Sequence, residues 1–270
     1  MRGASRASYA ELRERLDAGV TSAAAAEQTG DELFAVTRLF DSEHGLRRAL
    51  ADPTKPPEEK AAVAGRLLHG KVAAETEELV VAAVSARWAS SGDLADAIEQ
   101  LAVDAMVLAA EAEDGLDDLE DGLFRFGRVV SANPDLRAAL ADPSLPADGK
   151  QELLRTLLDG KVTPVTLGLI GQMVTHPRGR PLTVALDMCA EAAARRRQQL
   201  IALVRTAVEL SASQRRRLAQ ALARSYGHDV HLDVVVDPSV VGGISVQIGD
   251  ELIDGTAASR LAAVRRRLAG

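Results

Sequence analysis

The chain holds 270 residues in 28.5 kDa, enough for one large domain or two modest ones around a real hydrophobic core. Apolar residues make up 47% but aromatics only 3%, so the apolar mass is mostly Ala, Leu and Val, which suits packed helices and disfavours a face built on base or ring stacking. The formal charge of −7 hides a split: residues 1–122 carry 12 Lys/Arg against 25 Asp/Glu, whereas residues 123–270 carry 20 against 14.

A single cysteine, Cys189, excludes a disulfide framework within the chain and fits a reducing compartment. The longest apolar stretches, near residues 79–86 and 101–110, fall short of the roughly 20 residues that span a bilayer. The start runs into the charged segment Glu11, Leu12, Arg13, Glu14, Arg15 and not into an apolar signal core. The expectation is a soluble cytoplasmic protein.

In chain order, a first helix is expected over residues 8–16, the shortest of its group. From there the sequence repeats itself at an offset of 90: His44 to Pro53 recurs as Pro134 to Pro143, Pro56 falls on Pro146, Lys60 on Lys150 and Gly70-Lys71-Val72 on Gly160-Lys161-Val162. Upstream, Leu33-Phe34 falls on Leu123-Phe124, and between residues 31 and 72 there are 18 identities in 42 positions. That is too many for shared helical composition, and a 90-residue unit is too long for a solenoid repeat, so the pattern reads as a duplicated helical domain of about six helices per copy.

In the second copy Leu101, Ala105, Leu108 and Ala109 form one apolar stripe, and Leu116, Leu119, Leu123, Phe126 and Val130 a second one beyond an acidic turn. Asn133-Pro134 ends that hairpin. A short helix over 136–141 follows, then one opening at Pro146, with Gly160 in a left-handed terminating position. Further helices are expected over 164–175 and from Leu182 to Arg197. The period then changes. Residues 200–204 and 230–236 are β-branched and partly alternating, arguing strands around a helix that begins with the capping-box pair Ser211 and Gln214. Gly249-Asp250 reads as a two-residue hairpin turn, and a last helix is expected over 257–268. The fold class is therefore mainly α with a small C-terminal α/β module: residues 1–96 a duplicated helical bundle, 97–198 a second bundle and 199–270 the module.

The residues give little chemistry. Of five histidines only His228 and His231 lie close together, without the spacing or the Cys/Asp partners of a zinc site. The Gly-Lys pairs at 70–71 and 160–161 follow helices and lack the remaining phosphate-loop residues, so they read as helix ends with a lysine complementing the dipole. Cys189 reads as an inert buried thiol. The acidic run from Asp114 to Asp121 reads as a solvated turn and helix start, and Ser239 has no His or Asp at a recognisable spacing. The expectation is no catalytic residue, no cofactor and no metal. The Arg triplets at 195–197, 215–217 and 265–267 admit a helical scaffold or nucleic-acid adaptor as the alternative function, weakened by a pI near 5.4 and few aromatics.

The stretch from Val236 to Leu261 carries a longer signature. Asp237, Pro238, Gly242, Gly243, Gly249, Asp254, Gly255 and Arg260 in this order resemble the C-terminal signature of the delta subunit of F-type ATP synthases, called the oligomycin-sensitivity-conferring protein in mitochondria. Further back, Asn133-Pro134-Asp135-Leu136-Arg137, Lys150 and His176-Pro177-Arg178-Gly179-Arg180 resemble that family's six-helix N-terminal domain. Residues 97–270 thus resemble an entire ordinary member, and 1–96 an added copy, as in the enlarged delta regions of high-GC Gram-positive bacteria.

The resemblance implies a non-catalytic stator subunit of the proton-translocating enzyme, peripheral on the cytoplasmic face of the cell membrane. Its partners would be the N-terminal helix of an alpha subunit at the top of the catalytic head and the C-terminal stalk of the b subunit, with no nucleic acid and membrane association only through the complex. The alpha-subunit groove would map to Leu101, Ala105, Leu108, Leu167, Ile170 and Val174. In place of the motif at 176–180 the first copy has Ala86-Arg87-Trp88-Ala89-Ser90, a departure at the same position.

Overall fold

The computed structural model describes residues 3–199, 201–226, 230–237, 240, 242–248 and 251–255. The chain divides into two compact units, residues 1–193 and 194–270. The expected boundary between residues 96 and 97 falls inside one long helix of the first unit.

That unit is built from α1 (Ala4–Gly19), α2 (Ala23–Ser42), α3 (His44–Ala51), α4 (Pro57–Leu68), α5 (Ala74–Ser85), α6 (Ser91–Ala112), α7 (Leu116–Ala132), α8 (Pro134–Ala141), α9 (Ala147–Leu158), α10 (Pro164–Thr175) and the start of α11 (Leu182–Gln199). The duplication is visible in the backbone. Helices α3, α4 and α5 recur as α8, α9 and α10 with both ends displaced by 90 residues in each case. Side-chain caps repeat as well: Asp52 Oδ1 accepts from the backbone N–H and the hydroxyl of Thr54 at 2.9 and 2.7 Å, and Asp142 Oδ1 accepts from the same groups of Ser144 at 2.8 and 2.7 Å. Gly70 and Gly160 both adopt positive φ after α4 and α9, and Lys161 Nζ donates to the Leu157 carbonyl 2.8 Å away, as the dipole reading requires.

The opening helix corrects the expectation. At 16 residues α1 is longer than α3, α4 or α5, because Ala4 to Ala7 and Asp17 to Gly19 continue it. Only Ser5, Leu12 and Leu16 are buried along it, so the apolar stripe that marks its core face is shorter than the helix itself.

Eleven helices hold two six-helix copies because α6 serves both, as the last helix of the first and the first of the second. Its 22 residues include 13 buried ones covering most of its circumference, from Leu94, Ala95, Ala97 and Ile98 to Val107, Ala109 and Ala110, and one stripe through Asp93, Asp96, Gln100 and Asp104 is left less buried. A helix apolar over most of its circumference packs against neighbours on several sides at once. Helix α2 packs along one side, where Gly30 allows a close approach: a Cβ there would lie 2.7 Å from Met106 Sδ and 3.2 Å from the Ala102 carbonyl oxygen. Gly168 of α10 faces the same Met106 from the other copy, its Cβ position 3.3 Å from the Met106 methyl. Tyr9 of α1 donates its hydroxyl to Asp104, and Ser5 donates to Asp93 at 2.5 Å.

The second unit is a four-stranded sheet with one described helix. Strands β1 (Ile201–Thr206), β2 (His231–Val236), β3 (Ile244–Ile248) and β4 (Glu251–Asp254) lie in the order β2-β1-β3-β4, with α12 (Ala212–Tyr226) linking β1 to the parallel strand β2. Strand β3 runs antiparallel to both its neighbours, and Ile248 opposes Glu251. The expected turn at Gly249-Asp250 and the expected helix over 257–268 lie outside the described residues. Ser211 and Gln214 form the expected reciprocal box: Gln214 N–H donates to Ser211 Oγ at 3.3 Å and Ser211 N–H to Gln214 Oε1 at 2.8 Å. Ala202, Val204, Leu222, Val230, Val246 and Ile248 make the core.

Candidate functional site

The described signature residues shape the backbone between β2 and β3 and after β4. Asp237 follows β2, and its N–H donates to the Thr206 carbonyl at 2.8 Å, extending the β1–β2 pairing by one bond. Val240 N–H then bonds back to the Asp237 carbonyl at 3.1 Å, and Gly242 and Gly243 take φ of 69° and 82° before β3 begins. Two consecutive left-handed residues are accessible only to glycine at low cost, which is why the sequence has two here. Gly255 donates to the Ile244 carbonyl at 3.0 Å, and a Cβ at that position would lie 3.0 Å from the same oxygen. Asp254 ends β4 opposite Ser245. Pro238, Gly249 and Arg260 lie outside the described residues.

Next to this loop the sheet leaves apolar side chains in solvent: Val235 and Val236 on β2, Leu252 and Ile253 on β4, and Val208 after β1. Tyr226, at the end of α12, donates its hydroxyl to Glu251 at 2.6 Å. Desolvation and that carboxylate together push the Tyr226 phenol up to about 12, so it remains a donor at neutral pH.

Among the groove residues, Leu101, Ala105, Ile170 and Val174 are buried in the core, while Leu108 on α6 and Leu167 on α10 are half-buried. Leu167 borders a cleft of about 280 Å³ between α9 and α10, together with Leu154, Pro164, Gly168 and Gly171.

One constellation was not legible from spacing. Arg178, with φ of 50°, reaches both copies' shared helix and α2: its Nε donates to Asp41 Oδ2 at 2.6 Å, Nη1 to Glu99 Oε2 at 2.5 Å, and Nη2 lies 3.1 Å from Asp96 Oδ1. Arg180 pairs with the other oxygen of Glu99. The Glu99 side chain is only 3% exposed, so the pairing takes place in a low-dielectric surround. Burial opposes the Arg178 charge, but the hydrogen bond it donates to Asp41 and the carboxylates of Glu99 and Asp41 outweigh it and hold the guanidinium above its ordinary value. The motif at 176–180 marked two of these residues. Their partners lie about 80 and 137 positions away, on helices whose apolar stripes gave no hint of them.

The first copy replaces this network at the equivalent position by packing: Trp88 is buried and its indole N–H donates to the Ala83 carbonyl at 2.8 Å, while Ser90 caps α6 through the Asp93 N–H at 3.1 Å. His176, adjoining Arg178, bonds Thr175 Oγ1 through Nδ1 at 2.8 Å and is held below its ordinary value by desolvation and by Arg38. Among the described residues no group of His, Cys, Asp and Glu is arranged to hold a metal ion. No described helix is long and apolar enough to cross a membrane.

Cys189 lies fully buried on α11, and desolvation, with Glu99 adding to it, pushes its thiol up to about 12. It should therefore resist a disulfide reagent such as dithionitrobenzoate at neutral pH in the native protein and react as one equivalent only in denaturant. Rapid native labelling would refute that placement. Of the Arg triplets, 195–197 end α11, 215–217 lie exposed on α12, and 265–267 fall outside the described residues.

The chain was compared with known proteins. The family model described as ATP synthase delta (OSCP) subunit matches residues 103–268. Curated relatives match the entire chain: the ATP synthase subunit delta of Streptomyces griseus is 49% identical over 271 residues, covering 100% of both chains. Those of Streptomyces avermitilis and Thermobifida fusca are 48% and 47% identical, covering 99% and 100% of this chain and 98% and 100% of the relatives. The family model begins inside α6, whereas the relatives span the added copy as well. By a match covering more than half its length and by relatives nearly half identical from end to end, the chain belongs to the ATP synthase delta (OSCP) subunit family.

Proposed function

We propose that the chain is the stator subunit that ties the catalytic head of a proton-translocating ATP synthase, through the N-terminal helix of an alpha subunit, to the b-subunit stalk on the cytoplasmic face of the membrane. Family membership carries this reading, since delta subunits are peripheral-stalk components and no catalytic activity attaches to them. The physical demands on such a part agree with the folded chain. It has to resist torque without yielding, which asks for a continuous core and fixed ion pairs and for no reactive side chains. The helix shared by both copies and the buried Glu99 pairs answer that demand.

For the head, the reading places an amphipathic helix of the alpha subunit along α6 and α10 of the second copy, the helix-in-groove mode, with Leu108 and Leu167 as the reachable apolar contacts. For the b stalk it uses the exposed apolar residues of β2 and β4 in the second unit. Residues 1–96 act as a second helical copy in the same linkage.

The test uses membrane vesicles stripped of this chain. ATP hydrolysis should persist while ATP-driven proton pumping is lost, and adding back the whole chain should restore pumping. Add-back of a Leu108→Glu, Leu167→Glu variant should restore much less. Pumping that is unimpaired without the chain would overturn the stator reading; full rescue by the variant would overturn only the groove.

A further inference from the structure

The duplication makes it possible to compare one surface with its own copy. Phe34 and Arg38 of α2 recur at the 90-residue offset as Phe124 and Arg128 of α7. In the first copy this surface is covered. Phe34 is 4% exposed, lining a cavity with Gln172 and Met173 of α10, and Arg38 Nη1 donates to Gln172 Oε1 at 3.0 Å. In the second copy the same surface is bare. Phe124 is 61% exposed, and Val184 of α11 is 49% exposed where its counterpart Leu94 is wholly buried. Between α7 and α11 runs an open groove of about 540 Å³ lined by Leu123, Phe124, Gly127, Arg128 and Leu186, with Asp187 at its side. Arg128 lies over the Phe124 ring at 5.9 Å, whereas its counterpart Arg38 bonds Gln172.

We infer that the groove between Phe124 and Leu186 of the second copy is a docking site for an amphipathic helix from another subunit of the ATP synthase, one presenting a side-chain acceptor, amide or carboxylate, next to an apolar residue. The occupant follows from the covered copy. There α10 supplies such a neighbouring pair, Gln172 to the arginine and Met173 to the phenylalanine surface. Gln172 and Met173, which make this contact in the covered copy, are engaged on α2, with Met173 buried, so they do not reach the bare groove. The site differs from the α6/α10 groove and does not depend on it. It extends to a partner in trans the contact that the two copies make in cis, with Arg128 released from the ring to make a charge-assisted hydrogen bond.

The test is photo-crosslinking in the assembled complex. Benzoylphenylalanine replaces Phe124 in the full chain, the ATP synthase is isolated through a tag on that chain, and the adducts are mapped by mass spectrometry. Replacement of Glu152, an exposed residue of α9, reports background. The expected adduct joins position 124 to a helical segment of another subunit with an acceptor beside an apolar residue, and adding Arg128→Glu lowers its yield about tenfold, as loss of a charge-assisted bond and its replacement by repulsion imply. Adducts only within the chain, adducts to a second copy, a yield no higher than at position 152, or indifference to Arg128→Glu would each overturn the inference. None of these results bears on proton pumping, so the stator reading stands or falls separately.

Discussion

A chain lacking residues 1–90, and so beginning at α6, is expected to lose cooperative folding of its helical part and to aggregate, although the remainder corresponds closely to the segment matched by the family model. Helix α6 is the reason. Cutting before it removes α2, which packs along it, and α1 and α5, which cover it further. Leu94, Ile98, Leu101 and Met106 are all at most 1% exposed in the whole chain, and Met106 meets Gly30 of the deleted part. Exposing a large apolar side chain costs roughly 1.5–3 kcal/mol, so a handful of them on one helix amounts to about 5–10 kcal/mol, comparable to the whole stability of a typical domain. Asp93 and Asp104 also lose their hydroxyl donors Ser5 and Tyr9. Calorimetry and sedimentation of the truncated chain check this; a sharp, reversible unfolding transition in a monomer would show that the second copy stands alone. A loss of proton pumping on deleting the first copy would report unfolding before it reported anything about partner binding, so the folding measurement has to come first.

Replacing Glu99 by Gln should lower the melting temperature of the helical unit by roughly 6–12 °C. One carboxylate here neutralises two guanidinium groups, Arg178 and Arg180, and its side chain is 3% exposed while theirs are 15% and 27% exposed. Removing one partner of a buried pair leaves an uncompensated charge and typically costs about 3–5 kcal/mol. At the lower figure, and with roughly 2–4 °C per kcal/mol for a unit of this size, the stated range follows. A control is Asp121→Asn, which removes the pair with Arg125 four residues along α7; both side chains are about half exposed or more, and the change should stay within about 1 kcal/mol. Equal effects of the two substitutions would show that the Glu99 network is worth no more than a surface pair. Arg178→Ala removes the contacts to Asp41, Asp96 and Glu99 at once, but it leaves Asp41 with Arg47 at 3.2 Å and Glu99 with Arg180.

Much of the helical architecture was readable because it rests on local physics. The pairs Asp52-Pro53 and Asp142-Pro143 end helices for steric reasons that hold in any context, Gly160 supplies the left-handed cap, and Ser211 with Gln214 makes its capping box from a spacing of three residues. The paired glycines of the signature loop belong to the same class, since positive φ is a property of the residue type. The first helix was read too short because its core face needs only three buried residues.

The site was less legible. The resemblance mapped Leu101, Ala105, Ile170 and Val174 to a groove by their place on the matching helices, but neither that mapping nor periodicity tells whether an apolar face meets a partner or the chain's own interior. Most of α6 meets the interior, and of the six groove residues only Leu108 and Leu167 retain partial access. The same limit applies to Phe34 and Phe124, identical residues in identical registers of one repeat: a copy-by-copy reading makes them equivalent, and packing buries one and bares the other.

The amino-acid sequence alone therefore determined the helix and strand order, the 90-residue duplication and the family, each of which depends on neighbours along the chain or on residue identity at fixed spacing. Tertiary structure decided that α6 belongs to both copies, that Arg178 and Arg180 converge on Glu99, and which of two equal phenylalanines faces solvent. These depend on contacts between residues about 80 to 140 positions apart, where the energy of a buried pair or a covered ring is set by what the fold brings alongside and not by any pattern in the intervening sequence.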